Sequence, residues 1–442
     1  MSTRTGFQPS YQAVILAAPK DNELAPLTDG ALKATLPVAN KQLISYQLDN
    51  LEKAGVTEVI IVTSAAAAPL LRGITDARTT MRVSVEATDE DSMGTADALR
   101  GIAAKLISDF IVMSCDLMTN VPLGTVLDTH RVHQGALTAL VVQQPPADDK
   151  GKRNKTDDFV MLDETTDTLL MVAAKAKLKE TLDIRRTLFD KYSRVAVRTD
   201  LADPHFYVFA HWVLTVLEKK SDFKSIKDDL VPFLLRKQYS MNTADRAVFP
   251  AEASAVANPQ VQHLALGISS AERSEPMGPD GAELLHCHAF VVDANKVRCQ
   301  RINTLAAYSD VNRSVAKGYR TSPEERAALA SLPARLIGSE CVVGAGLTAT
   351  GEGSSVKKST VGANCTIGAN VKIVNCVLMD NVTVEDGCSL SGVTVCSGAH
   401  IEQGCELREG TCVGHSYRLP GGTQAKEKHF SADAKPGGGG GD

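Results

Sequence analysis

A six-residue period near the C-terminus constrains the fold of this chain more than any other feature. From Val361 the sequence divides into units such as VGANCT and IGANVK, and each unit begins with an aliphatic residue. The leaders of ten consecutive units are Val361, Ile367, Ile373, Leu378, Val384, Leu390, Val395, Ile401, Leu407 and Val413. One inward aliphatic residue per unit is typical of a triangular coil, and stacked coils bury a continuous apolar column. The period therefore predicts a parallel β-helix of hexapeptide repeats.

The same phase begins before Val361, so we expect the β-helix domain to cover 336–418. IGSECV from Ile337 and VGAGLT from Val343 precede an interruption rich in Gly, Ser and Lys at 351–358. The alternative, a sandwich of short strands, would alternate with turns about every eight to twelve residues, which this period does not match. The end of the chain, 419–442, is glycine-rich and is expected to be a flexible tail.

The first part of the chain alternates between strand-like and helical patterns. Short apolar, β-branched runs occur at QAVILAA (12–18), TEVIIVTS (57–64), RVSVEA (82–87) and DFIVMSCD (109–116). Such runs are typical of strands that are buried on both faces. Strands that alternate with helices predict an α/β doubly wound, Rossmann-like domain, which we place at 1–249. We expect a flexible insert or linker at 250–285 and a connecting strand and helix at 286–335.

Composition narrows the classes of partner. The formal net charge of −5 gives no electrostatic reason to expect nucleic acid or an anionic membrane surface. No stretch approaches the ~18 to 20 apolar residues that a membrane span needs. Ten cysteines occur without a C-x-x-C spacing, and we interpret them as small buried hydrophobes in a reducing compartment. A cytosolic protein that binds another protein or a small ligand is therefore favoured.

Motifs in the first domain resemble those of sugar-phosphate nucleotidyltransferases. That family has the loop G-G-x-G-T-R-x-x-P-L-T after its first strand, where residues 17–28 of this chain read AAPKDNELAPLT. A second family motif, P-K-P-L-x-P-V, corresponds to LKATLPV at 32–38, and the base-contacting loop L-G-T-A-x-A corresponds to MGTADA at 93–98. The resemblance implies a nucleotidyltransferase-like domain.

The phosphate loop departs from the family where chemistry depends on it. Ala18, Pro19 and Asp21 stand in place of the three glycines, and Glu23 stands in place of the arginine. Proline has no N–H to donate to a phosphate, side chains obstruct the approach of the backbone, and Glu23 reverses the favourable charge. We therefore expect no catalytic residue, no cofactor and no metal. Three residues still match the family and are interpreted as vestigial: Lys33, Gly94 and Asp116.

Several longer segments resemble the gamma subunit family of eukaryotic translation initiation factor 2B. They include HFYVFAHWVL (205–214), KSIKDDLVPFLLRKQYS (224–240) and KVRCQRINTLAAYSDVNR (296–313). The resemblance implies a nucleotidyltransferase-like domain followed by a C-terminal left-handed parallel β-helix. It also implies a non-catalytic regulatory or scaffold subunit of a cytosolic hetero-oligomer, which contains an epsilon-like subunit and other subunits. That complex is the guanine-nucleotide exchange factor that replaces GDP by GTP on translation initiation factor 2.

Two alternatives from other classes remain open at this point. The first is an active sugar-1-phosphate nucleotidyltransferase. The second is a hexapeptide acyltransferase with His400 or His415 as its base. The cluster His286-Cys287-His288 suggests a metal site, but consecutive strand residues alternate between faces and leave at most the two histidines together.

Residues 221–238 mix basic and acidic residues around apolar anchors. We predict a candidate interface there, formed by Lys224, Ile226, Lys227, Arg236 and Lys237. A solvated amphipathic helix would have the same pattern.

Overall fold

The computed structural model describes residues 11–17, 24–29, 31–75, 80–88, 94–144, 158–174, 184, 186–192, 194–239, 248–249, 285–318 and 336–431. The chain forms two compact units, one of residues 1–19 and 47–299 and the other of residues 20–46 and 300–442. The predicted insert lies outside the described residues except for Leu285, as does the part of the predicted tail after residue 431.

The described helices are α1 (Leu43–Lys53), α2 (Ala68–Thr75), α3 (Thr95–Gly101), α4 (Leu123–His133), α5 (Arg186–Lys191), α6 (Val213–Lys219), α7 (Val231–Lys237) and α8 (Leu305–Gly318). The first strands are β1 (Gln12–Ala17), β2 (Pro37–Val38), β3 (Lys41–Gln42), β4 (Glu58–Ser64), β5 (Arg82–Thr88), β6 (Phe110–Ser114), β7 (Leu117–Thr119), β8 (Leu137–Gln143), β9 (Asp158–Asp163), β10 (Thr168–Ala174), β11 (Val195–Arg198), β12 (Leu201–Ala202), β13 (Phe206–Phe209), β14 (Cys287–Asp293) and β15 (Cys299–Arg301).

The first unit is built on one mixed sheet. Its strands follow the order β11-β9-β10-β14-β8-β13-β6-β1-β4-β5, and β12 pairs with β8. The strands β6, β1, β4 and β5 are parallel, as the alternating strand and helix patterns predict. β13 runs antiparallel between β6 and β8, and β9 and β10 form an antiparallel pair. The predicted α/β class is therefore correct, with antiparallel pairing both inside the sheet, at β13, and at its β11-β9-β10 end.

The predicted boundary at residue 249 is wrong. β14, which we had placed in a connecting segment, is a strand inside the sheet of the first unit. It runs parallel to β8 from Cys287 opposite Leu137 to Asp293 opposite Gln143. A local pattern identifies a strand but not the sheet that it joins, so the return of the chain after the insert was not predictable from periodicity.

Residues 20–46 were also assigned to the wrong unit, because they pack with the C-terminal part of the chain. The Ala39 N–H donates to the Asn312 side-chain oxygen at 2.9 Å. The Tyr308 hydroxyl donates to the Pro37 carbonyl at 2.6 Å. Asn312, which accepts, and Tyr308, which donates, both lie on α8 and are both buried. The second family motif thus has a structural role within the second unit.

The strands of the second unit continue with β16 (Val342–Val343), β17 (Thr348–Ala349), β18 (Ser355–Lys357), β19 (Thr360–Val361), β20 (Thr366–Ile367), β21 (Lys372–Val374), β22 (Val377–Leu378), β23 (Thr383–Val384), β24 (Ser389–Ser391), β25 (Thr394–Val395), β26 (His400–Ile401), β27 (Glu406–Leu407), β28 (Cys412–Val413), β29 (Arg418–Leu419), β30 (Gln424–Ala425) and β31 (His429–Phe430).

These strands form the predicted left-handed parallel β-helix. Every third strand belongs to the same sheet, so three parallel sheets enclose the apolar column. All ten leaders predicted from the period are buried, and none is more than 1% exposed. Asparagines such as Asn364 and Asn370 adopt positive φ at the coil corners, a conformation that asparagine tolerates better than most residues.

The predicted end of the β-helix at residue 418 is too early. β30 pairs with β27 and β31 pairs with β28, so the coil continues to Phe430. Leu419 and Ala425 keep the buried inward positions, although the intervening Pro420-Gly421-Gly422 interrupts the aliphatic period. The predicted flexible tail at 419–442 is therefore wrong for its first part.

None of the ten cysteines, all of which lie among the described residues, is in a disulfide, and nine of them are buried. This agrees with the interpretation of these residues as small hydrophobes. Within the described part of the chain, no helix is both long enough and apolar enough to cross a membrane.

Candidate functional site

The residues that match the nucleotidyltransferase motifs are divided between the units. Lys33 lies in a 3₁₀ helix, Lys33–Thr35, of the second unit. Gly94 and Asp116 belong to the first unit, at the start of α3 and just after β6. The altered phosphate-loop residues Ala18, Pro19, Asp21 and Glu23 lie outside the described residues.

Gly94 is in close contact with the backbone of a distant segment. A Cβ at this position would lie 2.1 Å from the Lys224 carbonyl oxygen and 2.9 Å from the carbonyl carbon. The same oxygen accepts a hydrogen bond of 2.9 Å from the Ala96 N–H, and the Ile226 N–H donates to the Thr95 hydroxyl at 2.9 Å. Gly94 has an ordinary negative φ, so the glycine is needed for space and not for backbone conformation.

Side chains of α3 reinforce this contact. Arg100 donates to the carbonyl oxygens of Leu217, Lys220 and Phe223. Asp97 forms ion pairs with Arg100 and with Lys224. Burial alone would raise the pKa of Asp97, but the hydrogen bonds from Arg100 and Lys224 outweigh it and lower that pKa. Residues 94–100, which include the part of the chain that resembles a base-contacting loop, therefore bind the segment 217–226.

Asp116 is buried, with 1% of its surface exposed. Among the residues that the structure describes, no group of three His, Cys, Asp or Glu side chains is arranged to hold a metal ion. A single enclosed carboxylate does not supply the several oxygen ligands that a hard divalent cation requires. The absence of a catalytic metal at Asp116 stays a prediction.

The five predicted interface residues are not equivalent in the structure. Ile226 is 3% exposed and belongs to the core of the first unit, so its assignment to an interface is wrong. Lys227 forms an ion pair of 2.9 Å with Asp158, and both side chains are largely covered. Lys224 and Arg236 are exposed, and Lys237 lies 5.4 Å from the centre of the Phe233 ring. An interface at the exposed residues remains a prediction.

The histidine cluster is a stack of rings. The ring centres of His133 and His288 are 3.9 Å apart, and those of His286 and His288 are 6.2 Å apart. Burial, with the positive charge of neighbouring histidines, lowers the pKa of His288 to about 3. Burial also lowers the pKa of His130 to about 4. Both rings are neutral near pH 7, and His130 is hydrogen-bonded to Thr138 at 2.8 Å.

Acidification is expected to destabilise the first unit through these two rings. Their folded pKa values lie below the unfolded value of about 6.5, so the unfolded chain binds more protons and stability falls as pH drops from that value. The loss is expected to be about 1 kcal/mol per histidine between pH 6 and pH 5. Urea unfolding followed by fluorescence at several pH values measures it. The fall in unfolding free energy per pH unit should be smaller in His288→Asn than in the wild type. It should be unchanged in His429→Asn, a control at an exposed histidine. The same pH dependence in all three proteins would contradict the prediction.

The two histidines of the acyltransferase alternative are both engaged. A His415 ring nitrogen lies 3.0 Å from the Leu27 carbonyl, which can only accept, so this nitrogen carries a proton and is not a free base. His400 is paired with Glu385 at 2.7 Å. Both rings are therefore held in one orientation by a hydrogen bond.

Sequence reasoning missed the residues that occupy the Gly94 loop. The acceptor is the backbone carbonyl of Lys224, which has no residue-type signature. Asp97 and Arg100 are an i,i+3 pair that a search of helix spacings would have found.

Comparison with protein families identifies both parts of the chain. Residues 12–151 match the model of nucleotidyl transferases, and residues 324–424 match the model described as the EIF2B subunit epsilon LbH domain. Together with the two units described above, these matches indicate a nucleotidyltransferase-like domain and a left-handed β-helix in one chain.

Individual relatives cover most of the chain. The chain is 32% identical over 350 residues to the translation initiation factor eIF2B subunit gamma of Schizosaccharomyces pombe. The aligned region covers 76% of this chain and 72% of the relative. The chain is 28% identical over 394 residues to the gamma subunit of Dictyostelium discoideum, covering 81% of this chain and 89% of the relative. Similarity to the epsilon subunit of Schizosaccharomyces pombe is 26% identity over 232 residues, covering 50% of this chain and 34% of that protein.

Proposed function

The chain belongs to the family of translation initiation factor eIF2B gamma subunits, and we propose that it is a non-catalytic regulatory or scaffold subunit of the eIF2B complex. In that role it assembles with an epsilon-like subunit and the other subunits as a cytosolic hetero-oligomer. The complex replaces GDP by GTP on translation initiation factor 2, which is its substrate GTPase.

The contact between Gly94 and Lys224 is the observation that carries the non-catalytic part of this proposal. The Lys224 carbonyl occupies the space beside Gly94 and accepts a hydrogen bond from the Ala96 N–H. In the family that this loop resembles, the loop contacts the nucleotide base. A base that approached this side of Gly94 would meet the backbone at Lys224, which Arg100 and Asp97 also hold. The altered phosphate loop adds a second obstacle, because Asp21 and Glu23 oppose a triphosphate and Pro19 offers no N–H.

Exchange does not require nucleotidyl transfer. A factor accelerates GDP release when it binds the nucleotide-free GTPase better than the nucleotide-bound form. A subunit without its own chemistry contributes to this difference by holding the catalytic subunit and by offering surface to the GTPase.

The proposal is tested by affinity purification of the tagged full chain from its native cytosol at moderate salt. We expect the other eIF2B subunits to co-purify, with GDP release from translation initiation factor 2 in the eluate. We expect no nucleoside-diphosphate sugar to form from a nucleoside triphosphate and a sugar phosphate. A homo-oligomer that carries out this transfer would overturn the proposal.

A variant of the phosphate loop tests whether the altered loop or the backbone segment at Lys224 prevents nucleotidyl transfer. The quadruple variant Ala18→Gly, Pro19→Gly, Asp21→Gly, Glu23→Arg restores the three glycines and the arginine of the family loop. It should still form no sugar nucleotide, because the segment at Lys224 remains in place. Activity in this variant would show that the Gly94 contact is not a barrier.

A further inference from the structure

The peptide group between Lys224 and Ser225 is hydrogen-bonded on both sides. Its carbonyl accepts from the Ala96 N–H at 2.9 Å, and its N–H donates to an Asp229 carboxylate oxygen at 2.8 Å. The same carboxylate oxygen accepts from the Lys224 N–H at 2.9 Å. Hydrogen bonds to a carboxylate are stronger than those between neutral groups, and bonds in series through one peptide group polarise one another. Asp229 therefore fixes the direction of the carbonyl that lies beside Gly94.

Ser225 closes the turn that contains Asp229. The Ser225 hydroxyl accepts from the Asp228 N–H at 3.1 Å, as a serine at a helix N-cap does. The Ser225 carbonyl accepts from the N–H groups of Asp229 and Leu230, at 3.0 and 3.2 Å. Because Ser225 is bound through its N–H, its hydroxyl and its carbonyl, residues 224–229 form one closed turn, which we call the latch.

The latch includes most of a π-helical turn, Ile226–Leu230. The Val231 N–H bonds to the Ile226 carbonyl, five residues back instead of four. Pro232 follows in the first turn of α7, and in a continuous α-helix its ring would collide with the carbonyl of residue 228. The wider turn avoids this collision. Without it, the residues before the turn would be rotated by about 100° and moved by about 1.5 Å relative to α7, so the turn determines where Lys224 lies.

α7, from which the latch extends, is fixed on the sheet. Gln238, directly after α7, is fully buried. Its amide nitrogen donates to the Leu169 carbonyl on β10, and its amide oxygen accepts from the Cys287 N–H on β14, both at 2.7 Å. Within the latch, Lys227 forms the ion pair with Asp158 on β9. The position of the latch is thus set by contacts within the first unit.

From these contacts we propose that the latch keeps the loop at Gly94 closed in the isolated chain, in the absence of any nucleotide or partner. Asp229 is its positioning residue, because it acts on the loop through the peptide group between Lys224 and Ser225. The inference rests on the proposed function, since a loop that the chain itself closes supports a subunit without nucleotidyl transfer. It adds to that function the side chain on which the closure depends.

The test follows backbone hydrogen exchange at the Ala96 amide in the purified full chain, with single-amide resolution. In Asp229→Ala the acceptor of both latch N–H groups is lost. We expect Ala96 to exchange at least about 10-fold faster than in the wild type, because its bond to the Lys224 carbonyl opens. The amides of β8 should exchange at their wild-type rates, since the latch opens locally while the sheet stays folded.

Two further variants distinguish positioning by Asp229 from a general effect of charge. Asp229→Asn keeps an oxygen that accepts hydrogen bonds but removes the charge, so Ala96 should exchange at a rate between those of the wild type and Asp229→Ala. Asp222→Ala removes a carboxylate from an exposed position two residues before the latch. It should leave the exchange rate of Ala96 within about 2-fold of the wild type.

The outcomes separate the latch from the proposed function. An unchanged exchange rate of Ala96 in Asp229→Ala would overturn the latch. Equal acceleration of Ala96 and β8 would also overturn it, because Asp229 would then act on the stability of the whole unit. Equal effects of Asp222→Ala and Asp229→Ala would overturn it too, since the loss of a negative charge would be sufficient. Failure of the wild-type chain to recover other eIF2B subunits would overturn the proposed function, whereas the exchange rates decide the latch.

Discussion

Replacing Gly94 by alanine is expected to destabilise the first unit by about 3 kcal/mol. The new Cβ would lie 2.1 Å from the Lys224 oxygen, and an atom of the main chain cannot rotate away as a side chain can. The segment at Lys224 must move instead, which breaks the bonds from the Ala96 N–H and from the Ile226 N–H. Overpacking typically costs 1–3 kcal/mol, and each lost hydrogen bond adds about 1 kcal/mol.

The single tryptophan makes this effect measurable in the correct unit. Trp212 is buried in the same core as Ala96, Leu99 and Phe223, so its fluorescence reports unfolding of the first unit. We expect the thermal midpoint from this signal to fall by roughly 6 to 12 °C.

Gly101→Ala is the matched control for Gly94→Ala, since it changes the other end of α3. A Cβ at Gly101 would meet no atom within 4 Å. Alanine there should be neutral or stabilise by up to about 1 kcal/mol, because it lowers the entropy of the unfolded chain. If both variants had wild-type stability, the close contact at Gly94 would be absent and the proposal of a blocked base-contacting loop would lose its main support.

The β-helix was predictable because its information is local. Each coil repeats the same demand for an inward aliphatic residue, so ten leaders suffice to establish the period and the core. Its end was missed for the same reason. Pro420 and the two glycines after it break the pattern, yet Leu419 and Ala425 still occupy inward positions. A period alone does not reveal coils whose corners differ in composition.

The parts that sequence reasoning placed wrongly depend on contacts between distant segments. β14 joins its sheet after the long insert, and residues 20–46 are held by Tyr308 and Asn312 on α8. These positions result from burial and pairing with residues more than a hundred positions away. Helical and strand periodicity contain no information about such partners.

In the candidate site, too, the local features were predictable from the sequence and the contacts between distant segments were not. The loss of glycines at the phosphate loop is visible in the sequence, and its chemical consequence follows from backbone sterics. The occupation of the Gly94 loop is not visible, because the contact is made by a main-chain carbonyl. Ile226 illustrates the converse error: an apolar residue among lysines resembles an exposed anchor, but the structure buries it beside Thr95.

Replacing Leu390 by alanine is expected to destabilise the β-helix by about 3 kcal/mol. Leu390 is 1% exposed and lies between Ile373 and Leu407 in the stacked column of β21, β24 and β27. Removing its branched end leaves a cavity that the rigid coils above and below cannot close, and the cost includes both the lost burial and the empty volume. Because each coil contacts only its neighbours, protection from hydrogen exchange should fall most at residues 372–374 and 406–407.

Urea unfolding followed by far-ultraviolet circular dichroism measures the effect of Leu390→Ala, while Trp212 fluorescence follows the first unit in the same samples. The dichroism midpoint should fall, and the fluorescence midpoint should change much less, since Trp212 is not in the β-helix. Ser389→Ala is the control, because this neighbour is exposed on the outer side of the same strand and should change stability by less than about 0.5 kcal/mol. Equal effects at residues 389 and 390 would contradict the alternation of inward and outward side chains on which the whole coil depends.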